Sequence, residues 1–110
     1  MFGFGKKKYV KKFEEGHDFL QSYATKILAL MNYTEQNETV TDKLNQLKEA
    51  FVFAVSPQVN KEVLKYQNNI EKMYDELREV LRSREWDEND VLNRIEDLKT
   101  ELELLTSVRV

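Results

Sequence analysis

Apolar residues recur at steps of three and four along most of this chain. One run reads Val40, Leu44, Leu47, Phe51, Ala54, and a second Val59, Val63, Tyr66, Ile70, Met73, Leu77, Val80. A third reads Val91, Ile95, Leu98, Leu102, Leu105, and a looser fourth Phe13, Leu20, Ala24, Ile27, Met31. Because 3.6 residues complete a helical turn, such spacing gathers side chains on one face of an α-helix. The four runs predict four amphipathic helices whose stripes meet in one core. Core candidates are Phe13, Leu20, Ile27, Met31, Leu44, Leu47, Phe51, Val63, Ile70, Leu77, Ile95, Leu98, Leu102 and Leu105. The expected fold is an all-α antiparallel bundle of four helices, or of three if the second and third form one kinked helix.

Punctuation between the runs sets the expected boundaries. Helix one runs from about Tyr9 to Tyr33, with Gly16 inside it at a cost of up to roughly 1 kcal/mol relative to Ala. Thr34, Asn37 and Thr39 all offer an N-cap for helix two, and Thr39 with Asp42 resembles a short capping box. Helix two ends near Val55. At Ser56-Pro57, serine suits the N-cap and proline the first helical position, so helix three is expected over Pro57 to about Arg84. Asp87 can cap helix four, with Asp90 at its third position and Trp86 packing on Val91 as a hydrophobic staple. Residues 1–8, with Gly3 and Gly5, read as a flexible basic and aromatic arm ahead of one helical-bundle domain over 9–110.

Composition narrows the chemistry. At 110 residues with 34% charged side chains, the chain can bury roughly two-thirds of its unfolded surface, enough for one core without a deep cleft. The absence of cysteine excludes disulfides, thiolate metal sites and a cysteine nucleophile, and fits a cytoplasmic location. No stretch approaches the run of about eighteen apolar residues that a membrane span needs, and no apolar signal core follows the N-terminal lysines.

Candidate catalytic and metal-binding patterns are thin. His17 is the single histidine. Glu14 and His17 share the Glu-x-x-His spacing of di-iron bundles, but such a site needs a second pair from another helix. Asp87-x-Asn89 begins like a calcium loop, yet Val91 takes the next ligand position and no glycine follows. No Gly-rich phosphate loop or serine-nucleophile context appears. No cofactor, metal or small-molecule substrate is therefore expected. An enzyme built on carboxylates assembled by folding stands as a third alternative.

Two features exceed what a core requires. Lys6, Lys7, Lys8, Lys11 and Lys12 place +5 in the first twelve residues of a chain whose net charge is −3, which leaves −8 for the remainder. They fit a flexible solubilising tail, or one that folds onto the acidic body; with Phe2 and Phe4 beside them they also suit an anionic membrane surface, where rings enter the interface and ammonium groups meet headgroups. Nucleic acid is disfavoured, since the acidic body repels a duplex and the arm lacks arginine. The second feature is a set of apolar residues off the main stripes: Phe19, Tyr23, Val52, Phe53, Leu64 and Leu92. They widen the apolar faces toward a protein partner or a second copy.

The leading expectation is a non-enzymatic helical interaction module. The alternative is a peripheral membrane-surface or anion-binding protein acting through the arm. That alternative predicts salt-sensitive flotation with anionic but not neutral vesicles, abolished by deleting residues 1–12; flotation that survives the deletion would contradict it.

Overall fold

The computed structural model describes the backbone of residues 3–109 and the side chains of residues 15–109. Four helices follow one another: α1 (Gly3–Leu30), α2 (Glu38–Phe53), α3 (Lys61–Arg82) and α4 (Glu88–Thr106). A single 3-10 turn, Met31–Tyr33, extends α1. The side chains of Phe2, Phe4, Lys6, Lys7, Lys8, Lys11, Lys12 and Phe13 lie outside the described residues. The helical backbone, expected from about Tyr9, already runs from Gly3, so the two glycines do not keep the segment after them out of the helix.

Three helix starts share one device. The first turn of a helix leaves backbone N–H groups without an intrahelical acceptor, and a short polar side chain just ahead of it can accept one. Asn37 accepts from Val40 N at 3.0 Å, Asn60 from Val63 N at 2.8 Å and Asp87 from Asp90 N at 3.0 Å. Asn37 thus caps α2, and the expected box at Thr39 is not used. Thr34 is buried instead, and its hydroxyl lies 2.8 Å from that of Thr41, which donates to the Thr34 carbonyl at 2.7 Å.

The expectation for α3 needs correction. Ser56-Pro57 does not start it; α2 ends at Phe53, residues 54–60 form an extended connection, and Asn60 caps the next helix. Ser56 is buried and spends its hydroxyl on the Pro57 carbonyl at 2.8 Å, so it satisfies no helix terminus. The break gives two separate helices and a reversal rather than a kink.

Side-chain pairs fix the arrangement. Gln21 against Val52 and Tyr23 against Phe51 show α1 antiparallel to α2. Asn69 against Glu101 and Glu76 against Arg94 do the same for α3 and α4. The two hairpins join mainly through α2 on α4, while Tyr74 of α3 reaches α1, its hydroxyl donating to the Lys26 carbonyl at 3.2 Å. Around the bundle the order is therefore α1, α2, α4, α3, and the chain crosses between opposite corners from α2 to α3.

The stripes pack as their spacing predicts. Leu20, Ile27, Leu44, Leu47, Phe51, Val63, Ile70, Leu77, Ile95, Leu98, Leu102 and Leu105 are all buried. Each such aliphatic or aromatic side chain contributes about 1.5–3 kcal/mol over its exposed state. Met31 is half-buried against them. Leu30, Tyr74 and Leu81 join the core although they stand outside the read stripes. Tyr23 also belongs here rather than on an interface. It stacks on Phe19 at 4.7 Å between ring centroids and meets Tyr74 edge-on at 5.3 Å.

Gly16 has a specific task in this arrangement. A Cβ there would run into the Ser56 hydroxyl and stand 2.7 Å from the Ser56 Cβ, inside any tolerated contact. The glycine is what lets the 54–60 connection pass against α1. In an open helix interior Gly16→Ala would stabilise, but here it is expected to destabilise by about 1–3 kcal/mol through overpacking. Urea denaturation checks the sign, and Ser56→Gly in the same chain should recover most of the loss. Stabilisation by Gly16→Ala alone would contradict the close approach.

Candidate functional site

The acidic stretch before α4 is absorbed by structure. Asp87 caps the helix, Glu88 accepts from the Asn37 amide at 2.9 Å, and Asp90 accepts from Arg94 at 3.0 Å. The Asn37–Glu88 bond ties the α3–α4 turn to the α1–α2 turn, and together the three bonds use the carboxylates a calcium loop would need. Among the described residues no three His, Cys, Asp or Glu side chains gather closely enough to hold a metal ion. His17 is exposed on α1, and the Glu14 side chain lies outside the described residues.

Both ends of the bundle are concave. At the turn end, Asn32, Tyr33 and Arg84 line two adjoining hollows, one completed by Trp86 and Glu88, the other by Tyr74 and Arg78. Arg84 holds a left-handed backbone, φ 60°, as the residue after the Ser83 cap of α3. Glycine would sit there at about 1 kcal/mol less cost. Charge is balanced around the hollows, with Lys26, Arg78 and Arg84 facing Glu35, Asp75 and Glu88. Nothing in that balance selects an anion or a cation.

The two buried tyrosines nearby stay protonated at neutral pH. Burial pushes the Tyr23 phenol up to about 12, with Glu71 and Asp75 adding to the effect. Burial raises Tyr74 as well, against a lowering influence from Arg78. Lys26 lies 4.5 Å above the Tyr23 ring, where ammonium and ring attract each other.

The opposite end is apolar. A groove runs between the last turns of α2 and α4, floored by Ala50, Ala54 and Leu102 and closed by Val55 and Thr106. Lys99 and Glu103 form its α4 rim. Phe53 stands beside it with 79% of its surface exposed and Val55 with 80%. Phe53 and Val55 thus carry the apolar character of the trough out into solvent. The cause is local. The chain leaves α2 at Phe53 to cross the bundle, so Ala54 and Ser56 turn inward while Phe53 and Val55 are left outside.

The remaining interface candidates do not converge on this groove. Val52 is 40% exposed beside Phe53, whereas its carbonyl faces α1 through Gln21. Leu64 is 45% exposed on α3. Phe19 and Leu92 are half-buried against the core, Leu92 near the turn end of α4 and far from Phe53. Phe53 is therefore the sequence-derived candidate at the groove end, and Ala50, Ala54, Val55, Lys99 and Glu103 join it from the structure. Pro57 was the available signal, since it restrains Ser56 from helix, but it does not specify that α2 stops as early as Phe53.

No helix among the described residues is long and apolar enough to cross a membrane. No family model, no curated protein and no solved structure matches this chain.

Proposed function

We propose that this protein is a non-enzymatic helical interaction module whose working surface is the apolar end of the α2–α4 edge. The observation that carries the reading is the exposure of Phe53 and Val55 beside the Ala50–Ala54–Leu102 groove. Burying an aromatic and a branched aliphatic side chain from water is the kind of central contact around which protein interfaces form. A groove with small residues on one wall accepts a side chain from a facing helix, as helix-in-groove recognition requires. The five lysines over residues 6–12, set against an acidic remainder, add attraction toward a partner surface of negative charge.

A photoreactive benzoylphenylalanine at position 53, compared in cells with the same group at exposed Lys43, tests this. Position 53 should give discrete higher-mass adducts that Val55→Asp removes, while position 43 should give none. Equal labelling at the two positions, or adducts insensitive to Val55→Asp, would contradict the proposal.

A further inference from the structure

We infer that the occupant of the α2–α4 groove is a second copy of this chain, related by a two-fold axis; the inference rests on the docking surface proposed above. A two-fold interface must present both halves of every contact on one patch. This patch does so sterically. Ala50 and Phe53, three residues apart, and Ala50 and Ala54, four apart, share one side of α2. The side therefore carries a projecting ring and, next to it, a trough lined by alanines and floored by Leu102.

The rim does so electrostatically. Lys99 and Glu103 lie one turn apart on α4, both exposed. Neither takes part in the ion pairs of the described residues, which join Arg82 to Glu79 and Arg94 to Glu76 and Asp90. A two-fold axis perpendicular to α4 near residue 101 lays the helix antiparallel on its copy. Lys99 of each chain then meets Glu103 of the other, so one operation makes two opposite-charge contacts. A rim of one sign would repel an identical chain; this one attracts it.

The helix directions make the steric and electrostatic halves compatible. α2 and α4 run the same way along the bundle, since Asn37 and Glu88 meet at one end and Ala54 and Thr106 at the other. The operation that pairs Lys99 with Glu103 therefore also sets α2 antiparallel on its copy. Phe53 is carried back over Ala50 of the second chain. Val55 closes the end of the same contact.

Sedimentation equilibrium of the full chain, with circular dichroism to verify the fold of each variant, tests the inference. The wild type should be dimeric at micromolar to submillimolar concentration, and Phe53→Asp should be monomeric. Lys99→Glu and Glu103→Lys should each weaken association about tenfold or more, because each replaces two attractions by two repulsions. The double exchange K99E/E103K should restore it to within a fewfold. A wild type monomeric to about 1 mM would overturn the inference. So would a double exchange no better than the single ones, which would place self-association elsewhere. Adducts of Phe53 with other proteins, from a chain that sediments as a monomer, would remove the second copy and leave the docking surface standing.

Discussion

The close passage of the 54–60 connection against α1 at Gly16 is the constraint on which the arrangement depends. Two antiparallel hairpins can bury four apolar stripes in more than one cyclic order. The order here puts α2 beside α4 and sends the chain across the bundle from α2 to α3. A crossing of that kind needs backbone outside helical geometry and a place to lie. Seven residues supply the first, with Pro57 barring helix at Ser56. A helix surface without a Cβ supplies the second. A glycine that looks like a defect in α1 is thus the condition for its packing.

The same crossing divides the two ends of the molecule. At the turn end, polar side chains are consumed in caps and in the Asn37–Glu88 bond between hairpins, which closes that end with balanced charge. At the other end the chain departs from α2 before its apolar residues can be covered, and Phe53 and Val55 stay in water. The surface proposed for contact is therefore a by-product of topology, left beside a groove of the right lining. No buried side-chain polar atom among the described residues lacks a partner. The feature of the described fold left without compensation is apolar exposure at Phe53 and Val55, which the proposed contact with another chain would bury.

Most of the helices were legible because a 3.6-residue period survives individual exceptions. The buried members of the stripes and the Asp87 cap follow directly from spacing and residue type. Tyr23 misleads because it stands one position before Ala24, already assigned to the stripe, and a four-helix core is wider than one position per turn. Leu30, Tyr74 and Leu81 were missed for the same reason. Ser56-Pro57 carries a real helix-start signal, but Asn60, four residues after Ser56, offers an equal cap without a proline to accommodate, and the buried position of Ser56 depends on α1. Lys99 and Glu103 could not be singled out in sequence, where they are two of many charges; they gain meaning only from the groove between them and α2.

Two spin-label distances in this cysteine-free chain would test the helix order most directly. Lys43 of α2 would be labelled together with Glu96 of α4 in one sample and with Asp75 of α3 in another, all exposed sites at similar heights in the bundle. The order α1, α2, α4, α3 predicts a markedly shorter distance for Lys43–Glu96 than for Lys43–Asp75. A shorter Lys43–Asp75 distance would mean that α2 packs beside α3, and it would dissolve both the crossing at Gly16 and the groove at the α2–α4 edge.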